Sequence, residues 1–332
     1  MKYKILGNSR LRVSRIILNF RAYDKVSREG IPRDLPESEI MHSLKYAYDH
    51  GINTWDITDC CAEGMSETLI GRALTLCQIP RTRVTIMTKL YDPSLAQAGS
   101  AVNDGRLVNQ MRLSRENILK AVQGSLTRLN TQYVDVLHLN HMDDTEPKEV
   151  MGALDELVRD GKVLYLGASN MLCWQLATLQ CAAKMKNWTT FISMRGPYNL
   201  LYREGEQEIH PFCKGQEIDL ISWSPLANGL LDGQEHFPTH GLARYGFSNE
   251  QNQKILWRVR TMASSKGCSM RTLALAWLLK KGVCASVGLQ NIEPEAWEAL
   301  LVDLTDEEMR LLEVEYRLLP INTLELNEWH CS

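Results

Sequence analysis

The chain has 332 residues, 44% of them hydrophobic and 23% charged, which is the balance of an ordinary soluble globular protein with apolar material for a large core. A formal net charge of −3, with no extended Lys/Arg cluster, argues against nucleic acid or a membrane surface as a partner. No stretch approaches about 18 uninterrupted apolar residues, so no membrane span is expected, and Met1-Lys2-Tyr3-Lys4 leads into a turn and strand rather than an apolar leader. The nine cysteines are an odd number without zinc-ligand spacing, so buried free thiols in a reducing cytoplasm are expected, with no metal.

In chain order, Leu6 to Arg15 reads as a small hairpin with Gly7-Asn8-Ser9 in its turn, and Ile16 to Phe20 as a first barrel strand. Helix-like and strand-like segments then alternate. Ser38 to His50 is an amphipathic helix ended by Gly51, Ile52 to Asp56 a strand, Ser66 to Leu76 a helix and Val84 to Lys89 a strand. Ser114 to Leu129 and Pro147 to Asp160 read as helices, Tyr133 to Asn140 and Val163 to Ser169 as strands. Helices near Met171 to Met185, Glu206 to Lys214 and Met270 to Lys280 alternate with strands at Phe191 to Met194, Asp219 to Trp223 and Val283 to Val287.

Eight strands with intervening helices predict an α/β fold, a (β/α)8 TIM barrel carrying an N-terminal β-hairpin, as one domain over residues 1–332. Right-handed crossovers place every strand's C-terminal end on one face. The long connections Tyr91 to Leu113 and Pro225 to Asn249 would overhang that mouth, where long loops shape substrate pockets.

The stretch from Asn53 to Glu67 joins a buried strand to an acidic turn and a helix that starts near Ser66-Glu67. With Leu6 to Ser14, Tyr133 to Leu137, Gly161 to Asn170, Tyr198 to Glu204 and Trp223 to Leu231, it resembles the ordered signature blocks of the aldo-keto reductase family, nearest its fungal aryl-alcohol dehydrogenase-like branch. The resemblance implies NADPH chemistry by an Asp, Tyr, Lys, His tetrad, in which the phenol protonates the carbonyl as hydride arrives. Carried over residue by residue, the tetrad is Asp56, Cys61, Lys89 and Asn140. A Cys61 thiol beside Lys89 would tend toward thiolate, and Asn140 can hydrogen-bond a carbonyl without titrating. His138 shares the inward side of its strand with Asn140, one layer deeper, and His141 at the strand end is a further candidate.

On the cofactor side the resemblance implies Ser169 and Asn170 for the nicotinamide amide, with Trp223, Ser224 and Leu226 around the ring and phosphates. Three departures stand out. Asn19, Phe20 and Arg21 replace small residues, Arg195 replaces the carboxamide-binding Gln, and the run from Gly288 to Trp297 is acidic at Glu293 and Glu295, which repels a 2′-phosphate. No cofactor, or weakly bound NADPH, is therefore expected.

These departures predict a non-redox acid/base step, such as isomerisation, cyclisation, dehydration or an aldol-type reaction, on a small organic molecule. The substrate would be carboxylate-bearing or enolisable, with Lys89 and Asp56 exchanging protons, Arg21 and Arg195 stabilising negative charge and Asn140 orienting. Two alternatives stand beside it: an atypical NADPH- or NADH-dependent reductase in which water, His141 or Asn140 replaces the phenol, and a binding or regulatory barrel without catalysis. The fungal branch implies a substrate from secondary metabolism.

Overall fold

The computed structural model describes residues 1–20, 36–57, 64–90, 112–233, 250–289, 292 and 294–318. Strands β1 (Tyr3–Ile5) and β2 (Arg12–Ser14) form the N-terminal antiparallel hairpin. Eight further strands close a parallel barrel in sequence order: β3 (Ile16–Phe20), β4 (Thr54–Ile57), β5 (Thr85–Leu90), β6 (Val134–Asn140), β7 (Val163–Ser169), β8 (Phe191–Pro197), β9 (Asp219–Trp223) and β10 (Cys284–Gly288), which pairs back onto β3. The expected barrel and hairpin are thus observed, with strand ends within a few residues of the pattern.

The period-2 alternation of the strands sorts their side chains into two environments. Trp55, Ile57, Ile86, Leu137 and Leu139 belong to the large core between sheet and helices. Ile17, Met87, Val136, Ile221 and Cys284 form a second cluster inside the barrel, and Leu6 and Val13 of the hairpin join it. The hairpin therefore plugs the lower end. Its turn needs Gly7: the residue has φ +53°, and a Cβ there would lie 2.0 Å from the Ile192 carbonyl oxygen. The Gly7 amide donates to Asp219 (2.7 Å), whose other carboxylate oxygen accepts from Lys4 (2.8 Å).

Above the apolar plug the inward rows turn polar, with Asp56, Lys89, His138, Asn140, Ser169, Arg195 and Ser286 all buried. Those residues build the site. Three helical features differ from expectation. The segment read as one helix from Glu206 to Lys214 is a 3-10 turn (Glu204–Glu206) and a short helix (Ile209–Gly215), because Pro211 is tolerated only in a helix's first turn and so places the start just before it. The helix Glu250–Lys266 lies outside the predicted series, although Ile255, Leu256, Val259, Met262 and Ala263 fall at helical spacing; Ile255, Val259 and Ala263 are buried beside Asn252. Helices Pro294–Glu298 and Asp306–Glu313 also lie beyond the predicted series, although Thr305 and Glu308 form a reciprocal capping box that the sequence displays. Of the two long connections, residues 91–111 and 234–249 lie outside the described residues; the start of the second is a 3-10 segment, Ala227–Asp232.

Candidate active site at the barrel mouth

The strands leave the barrel at this face through strained backbone. β6, β7 and β9 run directly into His141 (φ 72°), Asn170 (φ 51°) and Ser224 (φ 53°), and Ala227 and Asn228 follow in the same left-handed region. Each such non-glycine residue costs roughly 1–2 kcal/mol. Their concentration at the C-terminal ends of three strands marks the face where function tolerates strain. Cross-strand bonds hold the exits in place: the His141 amide donates to the Ser169 carbonyl (3.1 Å), and the Asn170 amide to that of Arg195 (2.9 Å).

Asp56 is the hub of the lumen. It is fully buried, and both carboxylate oxygens are taken: Lys89 on neighbouring β5 donates to Oδ1, while Arg195 Nε (2.7 Å) and Ser286 Oγ (3.1 Å) donate to Oδ2. Lys89 also donates to the Ile57 carbonyl (2.9 Å), and Asn19 donates to Ser286 Oγ (3.3 Å). β8 stands opposite β4 in the ring of eight, so the Arg195 side chain crosses the barrel to reach Asp56. Burial alone would raise the Asp56 carboxyl, but the Arg195 and Lys89 charges prevail and hold it well below the ordinary carboxylate range. In this position Asp56 anchors two cations.

His138 lies one layer down, as the alternation predicts. It is fully buried; one ring nitrogen bonds Ser193 Oγ (3.1 Å), and Nδ1 has no hydrogen-bond partner among the described residues. The imidazole lies across Gly167, where a Cβ would come within 2.3 Å of His138 Cδ2. Burial first, then the Lys89 and Arg195 charges, push its pKa down to about 3, against the opposing pull of Asp56. The native ring is therefore neutral, whereas the unfolded chain takes up a proton below about pH 6.5. Stability from this residue is complete above that value and is lost as pH falls toward about 3. Replacing His138 by Gln should make the chain less acid-sensitive: between pH 7 and 4.5 the stability gap between the two proteins, read by urea unfolding, should shift by roughly 2–3 kcal/mol in the variant's favour. A gap independent of pH would show that His138 takes up its proton as readily in the native barrel as in the unfolded chain.

At the rim, a chain of side-chain bonds links three elements. Trp223 Nε1 donates to Asn170 Oδ1 (2.7 Å), and Asn170 Nδ2 donates to Asn140 Oδ1 (2.9 Å). Ser224 Oγ donates to Asn228 Oδ1 (3.0 Å) and accepts from the Asn228 amide (3.2 Å), so it caps the turn above the buried Leu226. Ser169 differs. Its Oγ is buried and has no hydrogen-bond partner among the described residues.

The structure thus brings Asp56, Lys89, Asn140, Ser169, Asn170, Arg195, Trp223, Ser224 and Leu226 to one mouth, with His141 on its rim. Arg21, Cys61 and Glu293 lie outside the described residues. Glu295 is turned toward Arg271 (3.8 Å), which is held bidentately by Asp232. Sequence reasoning missed Ser193 and Ser286, which complete the polar layer. Their signal was available: each is a hydroxyl on an inward row of an otherwise apolar strand.

The chain matches the family model described as Aldo/keto reductase family over residues 28–316. It is 40% identical to the aldo-keto reductase AMT2 of Alternaria alternata, over 96% of this chain and 92% of that protein. It is 38% identical to the versiconal hemiacetal acetate reductase of Aspergillus parasiticus, over 95% of this chain and 97% of the relative. Among solved structures it is similar to a thermostable aldo-keto reductase, Tm1743, crystallised with the inhibitor epalrestat: the TM-score is 0.74 at 25% identity, covering 95% of this chain and all of the other.

Proposed function

We infer a nicotinamide-dependent carbonyl reductase from a firm premise: the chain belongs to the aldo/keto reductase family. The observation that carries this reading is Ser169, whose buried hydroxyl lacks a partner among the described residues, beside Asn170 and Trp223 at the mouth. A buried hydroxyl without a partner costs on the order of 1–3 kcal/mol, which a bound amide would relieve. Ser169 and Asn170 would hold the nicotinamide carboxamide, Trp223 would face the ring, and the Ser224 to Leu226 turn would lie along the phosphates. When bound, the cofactor supplies hydride.

The chain's own residues supply the electrostatics. Asp56 orients Lys89 so that its ammonium stabilises the negative charge developing on a carbonyl oxygen, and Asn140 orients that carbonyl. Because Cys61 stands where the resemblance puts the phenol, the proton comes from Lys89 or from solvent through it. The substrate is a small organic carbonyl compound, in keeping with the reductase names of the fungal relatives, and one domain over residues 1–332 acts on it in the cytosol. Among the described residues no helix is long and apolar enough to cross a membrane.

The test is a titration of NADPH and NADH against tryptophan fluorescence, followed by deuteride transfer from 4-deuterated NADPH to a carbonyl panel. Ser169→Ala should weaken nucleotide binding about tenfold. Absence of binding at millimolar nucleotide would reject the reading.

A second reading rests on the rim bonds. Both ends of the Asn170 amide are engaged, by Asn140 and Trp223, and an arginine stands where a carboxamide-binding glutamine is implied. If these exclude the cofactor, Lys89 and Arg195 remain for a non-redox isomerisation, cyclisation, dehydration or aldol-type step. Turnover of a substrate in nucleotide-free protein would select it.

A further inference from the structure

We propose that Arg195 is a carboxylate anchor, so that the substrate is a carbonyl compound bearing a carboxylate held end-on by the guanidinium. The proposal rests on the reductase reading for its carbonyl and on Arg195 alone for its carboxylate. Three observations carry it.

The first is position. Arg195 leaves β8, crosses the lumen and is fastened by Nε to Asp56 on the opposite strand at 2.7 Å. That bond fixes the plane of the guanidinium within the barrel, under the mouth, and removes most of the rotamer entropy that binding would otherwise cost. The second is valence. Asp56 takes Nε only; among the described residues neither terminal nitrogen has a hydrogen-bond partner, and no other carboxylate pairs with the side chain. The Arg195 side chain is 10% exposed, so it is not fully sealed from solvent. Asp56 sets one negative charge against both Lys89 and Arg195, so this buried layer keeps one cation in excess until a second anion meets it. The third is the neighbour. Ser169 lies in register with Arg195 on adjacent β7 and brings a neutral hydroxyl, so no second carboxylate faces the guanidinium from that position.

With Nε engaged, the remaining edge is the fork of the two terminal nitrogens, which matches the two oxygens of one carboxylate. A phosphate would ordinarily gather more positive charge or a helix N-terminus, and Lys89 is already held by Asp56 and the Ile57 carbonyl. The geometry therefore selects a planar monoanion.

Calorimetric titration of the full chain with acetate and benzoate, against acetamide and benzamide, tests this without any redox step. At low ionic strength at least one carboxylate should bind about tenfold or more tighter than its amide. Arg195→Gln should abolish that preference, and Arg195→Lys, which keeps charge but not the fork, should retain only part of it. Both variants keep the Asp56–Lys89 pair, and thermal melts would confirm that they fold. Carboxylates binding no tighter than amides, or a preference unchanged in Arg195→Gln, would overturn the anchor. Titrating NADPH in parallel separates the two ideas: nucleotide binding without carboxylate preference leaves the reductase and removes the anchor, and the reverse leaves the anchor and removes the reductase.

Discussion

Replacing Lys89 by Met should lower kcat/KM for the reduced carbonyl by about 10²–10⁴-fold while the barrel still folds, because a positioned proton donor or cation at the reacting oxygen contributes that much to such a step. The fold survives because Asp56 keeps Arg195 and Ser286 as partners, so no buried carboxylate is stranded. The nucleotide dissociation constant should change little, since Lys89 lies with Asp56 in the lumen and not among the residues assigned to the cofactor. Steady-state kinetics at saturating nucleotide, with a binding titration alongside, would check both halves. A variant within threefold of the parent would remove Lys89 from the chemistry.

The largest stability effect should come from Asp56→Asn, an isosteric change that leaves Lys89 and Arg195 facing each other across a neutral amide. Breaking a buried pair by deleting one partner costs about 3–5 kcal/mol. In a chain this long that is a fall in Tm of about 4–7 °C. The sign of the pH dependence follows from the depressed native carboxyl. Its stabilisation is complete above the unfolded value of about 3.9 and declines as pH falls below it toward the native value. The gap between parent and variant should therefore be flat from pH 8 to 5 and narrow only in stronger acid. Adding Arg195→Gln to Asp56→Asn should recover part of the loss, since one stranded cation is removed; strictly additive effects would show that the two residues do not interact.

Much of the candidate site was legible before folding. Asp56, Lys89, Asn140, Ser169 and Trp223 all stand at strand ends, and a parallel barrel brings such ends to one face whatever the helices do. His138 was placed on the correct side by parity alone. The helix Glu250–Lys266 was passed over although Ile255, Leu256, Val259, Met262 and Ala263 carry helical spacing, because its first turn, Glu250 to Lys254, is wholly polar.

Arg195 shows where local reasoning stops. Its strand, its inward side and its charge can be read from the chain, and so can the risk that it forms a structural ion pair. That its Nε crosses the ring to Asp56, leaving the terminal nitrogens without a partner among the described residues, depends on two residues 139 positions apart meeting across the lumen. The sequence by itself determined the family, the eight strands, the hairpin and which side chains face inward, because those follow from periodicity, turn chemistry and ordered motifs along the chain. Only the tertiary structure decided that Asp56 is saturated by two cations, that Asn140, Asn170 and Trp223 bond to one another, and that Ser169 has no partner among the described residues. Hydrogen-bond partners and charge compensation are set by which side chains share the closed lumen, and no local pattern encodes that.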